Sequence, residues 1–246
     1  MLAIILMLMV NNLFAGDVPY VYTKKVPGAL TLSAAGKSAP IFVSETDYEG
    51  VMLAAKNLQT DIKAVTNTQP VLSTGSIKGK EVIIIGTLGK SPLIDNLVKN
   101  KKINLTGLAG KNEMYISQVV KNPIPGVESA FVIAGSDKRG TIYGIYDLSS
   151  EIGVSPWYYW ADVPIMHQSN LYVFTTHHTD GEPAVQYRGI FINDESPGFT
   201  GWAKAKFDGL NKKPSALNGQ ILDKGVNHYL YEHMFELLLR LKANFL

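Results

Sequence analysis

The residues best equipped for chemistry stand together at Asn193-Asp194-Glu195, an amide followed by two carboxylates. They close the run Tyr187-Arg188-Gly189-Ile190-Phe191-Ile192, whose apolar, β-type residues read as a buried parallel strand. Acids placed where such a strand stops project into the loop layer and not into the core. In barrels of parallel strands that layer carries the chemistry. Carboxyl groups there can give or take a proton in a transition state. Successive strand residues point to opposite faces, so Asp194 and Glu195 cannot both face one substrate in regular geometry.

Other candidates are weaker. Thr87-Leu88-Gly89-Lys90-Ser91 follows a strand-like run and could cradle a phosphate, but its spacing fits neither the dinucleotide fingerprint nor the P-loop. His177-His178 would point to opposite faces of a strand and has no third ligand at usable spacing. His228, Glu232 and Glu236 share a helix face but lack the zinc-protease order. Cysteine is absent, which excludes thiolate catalysis, disulfides and cysteine-based metal sites. The expectation is no metal and no cofactor. Trp157-Tyr158-Tyr159-Trp160 stands between prolines, as aromatics do at a domain junction or along a sugar-stacking groove.

The elements that must position these residues precede them. Strands are expected at 30–33 and 40–44. Thr46-Asp47-Tyr48-Glu49 has the form of a capping box, opening a helix with Val51, Ala54, Ala55, Leu58, Ile62 and Val65 on one stripe. Asn67 to Pro70 ends it. The β-branched run 81–86 reads as a central strand, with a helix from Pro92. Strands at 113–120 and 130–134 follow, then a helix at 138–152 closed by Gly153. Residues from about 30 to 155 thus form a self-contained α/β unit.

Beyond the acids, residues 196–224 show little periodicity and read as a structureless lid or binding loop. Its Lys204, Lys206, Lys212 and Lys213 suit an anionic substrate or plain solvation. A strong helix is expected at 227–241, with Leu230, Met234, Leu237, Leu238 and Leu241 on its packing side. Asn244-Phe245-Leu246 reads as a strand starting. A lone strand-helix unit leaves apolar faces bare, so residues 181–246 read as a truncated piece of a larger barrel.

Composition sets the outer bounds. The chain has 246 residues, 46% hydrophobic and 18% charged, an ordinary globular balance. A net charge of +2 without a dense basic run argues against nucleic acid as a partner. Leu2 to Val10 is almost wholly apolar and leads to Ala15-Gly16, a signal-peptide pattern too short to span a membrane. Residues 1–15 are therefore expected to direct export.

Arg139-Gly140-Thr141-Ile142-Tyr143-Gly144-Ile145-Tyr146-Asp147-Leu148-Ser149, continuing to Trp157-Tyr158, resembles the end of the N-terminal domain of glycoside hydrolase family 115, the xylan α-glucuronidases. Residues 188–195 and Phe235-Glu236-Leu237-Leu238-Leu239-Arg240-Leu241-Lys242-Ala243-Asn244 resemble that family's first barrel strand and helix. The resemblance implies an N-terminal α/β sandwich domain over 16–180, of the kind that also precedes hexosaminidase barrels. The first β/α unit of a truncated TIM (β/α)8 barrel would follow over 181–246. It implies an exported, cofactor-free, inverting enzyme that removes glucuronic acid or its 4-O-methyl form from glucuronoxylan, with a homodimeric full-length form. Two carboxyl groups in an inverting site stand roughly 6.5–9.5 Å apart, so Asp194 and Glu195 are not the whole pair. Asp194 with Asn193 would form the floor of the site, Glu195 would be a second acid, and Trp202 would face the sugar. Arg188 would pair with a buried carboxylate or reach the sugar. Alternatives are a hexosaminidase-like glycosidase and a non-catalytic carbohydrate-binding protein.

Overall fold

The computed structural model describes residues 19–193, 195, 197–207, 216–217, 220–221 and 226–246. The expected leader over 1–15 and the acid Asp194 lie outside the described residues. In chain order the elements are β1 (Val21–Tyr22), β2 (Leu30–Ala34), β3 (Lys37–Ser38), β4 (Ile41–Val43), α1 (Glu49–Thr66), β5 (Leu72–Ser73) and β6 (Glu81–Thr87). They continue with α2 (Pro92–Lys99), β7 (Tyr115–Lys121), β8 (Ser129–Gly135), α3 (Lys138–Glu151) and β9 (Leu171–Val173). The last are α4 (Phe199–Phe207), β10 (Ala216–Leu217), β11 (Gln220–Ile221) and α5 (His228–Arg240).

The β-branched run Glu81-Val82-Ile83-Ile84-Ile85 is buried on both faces because β6 is the middle strand of a five-stranded sheet, ordered β5-β4-β6-β8-β7. β5, β4, β6 and β8 run parallel, and β7 closes one edge antiparallel to β8. Side chains alternate across the pleat. Ile83, Ile85, Phe131 and Ile133 share one core with α1 and α3, while Val82, Ile84, Ala130 and Val132 share another with α2. A small antiparallel sheet, β1-β9-β2-β3, contributes Leu30, Leu32, Leu171 and Val173 to the first core. The α/β class expected from the sequence is the one observed.

Glycines explain the Arg139-Gly140-Thr141-Ile142-Tyr143-Gly144 phrase. A Cβ on Gly140 would stand 2.2 Å from the Met114 carbonyl oxygen, and one on Gly144 would stand 2.7 Å from Ile133 Cγ2. Helix α3 therefore lies directly on the sheet, and its residues from Gly140 to Ser149 are all buried. Gly140→Ala is expected to cost about 1–3 kcal/mol through this overpacking. Urea denaturation checks it: the midpoint should fall at unchanged m-value, and an unshifted midpoint would mean that the backbone contact yields freely.

Four expectations need correction. The capping box does not form: the N-cap is Tyr48, without a side-chain bond. Thr46 instead donates its hydroxyl to Lys90 O at 2.9 Å, and Asp47 accepts the Thr87 amide at 2.7 Å and the Thr87 hydroxyl at 2.8 Å. Partners at the end of β6 outcompete the local cap. Residues 196–224 are not structureless, since α4 occupies 199–207 and β10 pairs with β11. Phe199, Ala203 and Phe207, four residues apart, form its apolar stripe, hidden in the sequence by Gly201 and the lysines. The run at 187–192 is not a buried strand either. Among the described residues it makes one parallel bridge, Gly189 to Phe245, and Phe191 is 91% exposed. A parallel strand is buried only when strands flank it and helices cover both faces. On helix α5, Leu241 is exposed and follows the last helical residue.

Candidate active site

The run ending in the acids is held from below and from one side. Gly189 approaches Phe245 so closely that a Cβ would lie 2.1 Å from the Phe245 carbonyl oxygen. Ile192 packs into a cluster made by Ala203 and Phe207 of α4 and by Leu230 and Met234 of α5. The next residue, Asn193, is exposed, and its Oδ1 accepts the Glu195 amide at 3.2 Å. Glu195 is exposed as well. The structure thus brings Asn193 and Glu195 to the surface just ahead of α4, with an apolar anchor behind them.

Beside that anchor stands an aromatic wall. Trp202 stacks on Phe199 at 5.8 Å between centroids and leans on Trp160 at 5.5 Å. Tyr159 stacks on His233 of α5 at 3.8 Å, and Trp160 Nε1 donates to His233 O at 3.4 Å. Tyr158 donates its hydroxyl to Glu236 at 3.1 Å. Three of the aromatics at 157–160 therefore pack onto α5. Trp202, expected to face the sugar, sits at the edge of this wall and remains 39% exposed.

Arg188 lies at the other end of the run, in a joint with the N-terminal sheet. Its Nη2 pairs with Glu113 Oε2 at 2.6 Å, its Nε donates to Lys242 O at 2.9 Å, and its Nη1 donates to Val185 O at 2.7 Å. Asn244 donates to both Glu113 oxygens, and Arg139 pairs with the same carboxylate at 3.1 Å. Burial pushes the Glu113 carboxyl up, but the hydrogen bonds from Asn244 and Arg188 outweigh it and hold it below its ordinary value. This joint opens into a polar cleft of about 450 Å³ lined by Asp137, Arg139, Glu182 and Tyr187. Asp137 and Glu182 accept backbone amides from Gly140, Glu113 and Asn112 there, so these carboxylates serve the fold.

A second cluster gathers around the buried Asp147. Asp147 of α3 accepts Tyr20 Oη at 2.8 Å, contacts His178 Nε2 at 2.9 Å and pairs with Lys242 Nζ at 2.7 Å. Lys242 also pairs with Asp180 and reaches Tyr115 Oη at 3.2 Å. The sequence offers His178 no third ligand at usable spacing, yet Asp147, His178 and Asp180 bring ligand atoms within 4.8 Å of one another. The Lys242 ammonium stands among them where a cation would. Burial works against all three charges. Even so, contacts from His178 and Lys242 hold Asp147 far below the carboxylate range, and Asp147 holds His178 and Lys242 above their usual values.

The linkage sign follows from these directions. His178, raised in the fold, contributes stability that is full below its unfolded pKa of about 6.5 and is lost as pH rises through its folded value. Asp147, lowered, contributes above its unfolded pKa of about 3.9 and loses that contribution as pH falls. The melting temperature should therefore be highest between these limits and decline on the alkaline side, and His178→Gln should flatten that decline. Equal alkaline limbs in both proteins would contradict the assignment.

Residues 180–246 match the family model described as Glycosyl hydrolase family 115. Among solved structures the chain is similar to a family GH115 4-O-methyl-α-glucuronidase, BtGH115A, with specificity for decorated arabinogalactans. The identity is 31% and the TM-score 0.68, covering 88% of this chain and 25% of that one. CpGH84D matches at 13% identity and a TM-score of 0.49, covering 94% of this chain and 37% of that one, a likeness too low to argue from. No curated protein matches. The matched segment and the α/β fold are similar to those of a family of glycoside hydrolases. That family is glycoside hydrolase family 115, and this chain spans 25% of the length of its solved relative.

Proposed function

We propose that this chain forms the N-terminal part of an exported, inverting α-glucuronidase that removes glucuronic acid or its 4-O-methyl form from a polysaccharide. One observation carries the reading: the likeness to BtGH115A, 31% identical across 88% of this chain, in a protein described as a 4-O-methyl-α-glucuronidase. In this reading residues 187–192 and 244–246 are the first two strands of a TIM barrel, joined through α5. The parallel bridge between Gly189 and Phe245 and the exposed Phe191 and Phe245 are consistent with strands awaiting neighbours. Asp194 with Asn193 orients water or holds sugar hydroxyls, and Glu195 is the accompanying acid. An inverting pair stands roughly 6.5–9.5 Å apart, so at least one of its carboxyl groups comes from another strand. The apolar stretch that leads to Ala15-Gly16 supports the export part of this reading. Nothing in the fold or the comparisons supports the homodimer.

The backbone substrate has two readings. The motif resemblance favours glucuronoxylan, and the specificity described for BtGH115A favours decorated arabinogalactan. The enzyme expressed from the full reading frame, incubated with each polymer and followed by chromatography, is expected to release uronic acid from at least one. Release of hexosamine from an N-acetylhexosaminide with no uronic acid from either polymer would overturn the proposal.

A further inference from the structure

The exposed side of α4 carries an inference about how the sugar is chosen, and it rests on the glucuronidase reading above. Helical spacing sets Phe199, Trp202 and Lys206 along one side of α4, while Ala203 and Phe207 are buried. Lys206 Nζ stands 4.3 Å from the Tyr159 ring centroid and 5.3 Å from that of Trp202. Most surface lysines leave the ammonium to water, and lysines in a last helical turn complement the helix dipole. Two aromatic rings do more: they fix where this ammonium sits, and cation–π attraction leaves its remaining N–H bonds for an anion. Lys206 and Trp202 are both exposed, so a ligand can reach the ammonium and one ring together. Ile192 packs in the cluster that also holds Tyr159, Trp160 and Phe199 of this wall, and Asn193 follows it by one Cα step of about 3.8 Å. The wall and the end of the run therefore border one surface.

We propose that Lys206 pairs with the carboxylate of a uronic acid whose ring stacks on Trp202. The pairing is an ion pair and hydrogen bond with no covalent step. A neutral sugar stacks on the same ring but leaves the ammonium without an anionic partner, so this wall selects acidic sugars over neutral ones. Lys206 then acts in binding and specificity, and bond cleavage belongs to the carboxyl groups.

Ligand-observed NMR titration of the 246-residue chain tests the pairing, using xylotetraose with and without one 4-O-methylglucuronic acid branch. The branched sugar is expected to bind about tenfold more tightly, the effect of one hydrogen bond to a charged group. That advantage should shrink as salt is raised. Lys206→Met keeps the apolar stem over the rings and removes the charge. It is expected to bring the acidic ligand down to the affinity of the neutral one and to leave the neutral one unchanged. Trp202→Leu should weaken both. If both sugars bind equally and Lys206→Met alters neither, the Lys206 pairing is wrong while the sugar-site reading stands. If neither binds, the wall is not a sugar surface and the pairing falls with it. In that case release of uronic acid by the enzyme still decides the glucuronidase reading separately.

Discussion

Asp194→Ala in the active enzyme is expected to cut turnover roughly 100-fold or more, the size associated with a positioned acid–base or water-orienting group. The melting temperature should hardly change. The second expectation comes from its neighbours in the chain. Its neighbours Asn193 and Glu195 are exposed, while the packing that anchors the run is made by Ile192 against α4 and α5. The core contact of the run is made at Ile192, two positions before the substituted residue in the sequence. Glu195→Ala should have the smaller effect, since Glu195 is exposed and is only the accompanying acid in the proposed site. Steady-state kinetics with a thermal melt on the same sample separates the outcomes. Wild-type turnover in Asp194→Ala would place the site elsewhere, and a collapsed melt would make the residue structural.

Arg240→Met is expected to destabilise the chain by about 3–5 kcal/mol, the usual cost of stranding one member of a buried ion pair. Arg240 Nη1 and Nη2 meet the two Asp61 oxygens at 2.9 and 3.1 Å, and the side chains are 3% and 6% exposed. Its Nε also reaches Glu236 at 2.8 Å, and its guanidinium lies 4.7 Å from the Tyr146 ring and 5.0 Å from that of Tyr158. Burial, the largest influence on Asp61, lifts its carboxyl, and Arg240 opposes that shift. Without Arg240 the carboxylate has lost its countercharge. The double variant Asp61→Leu/Arg240→Met removes both charges and should recover much of the loss. Denaturant unfolding of the three proteins checks this, and a single variant as stable as the parent would mean that water reaches Asp61.

Much of the scaffold was legible because burial leaves a period in the sequence. The stripe from Val51 to Val65 marks a helix on the sheet, and the unbroken run in β6 marks a strand covered on both faces. The ion pairs were not legible, because they join residues far apart in the chain. Arg188 and Glu113 are 75 residues apart, Lys242 and Asp147 are 95, and Arg240 and Asp61 are 179. A faint sign existed: Asp61 beside Ile62, Asp147 between Tyr146 and Leu148, and Arg240 among leucines are charges on apolar faces, which are seldom buried without a partner. The strand at 187–192 was overread because composition reports what a segment could bury and not whether neighbours are there to bury it. The sequence put Asn193, Glu195 and Trp202 in one region, and Ile192 just before the acids packs with Phe199, Ala203 and Phe207 of α4. The acid between them lies outside the described residues.

The most direct measurement is the anomeric configuration of the first uronic acid released by the enzyme, followed by proton NMR before mutarotation equalises the forms. Attack by water across the ring from an α-linked branch predicts the β-anomer first, with no covalent sugar–enzyme species. The α-anomer appearing first, or no uronic acid at all, would contradict the account.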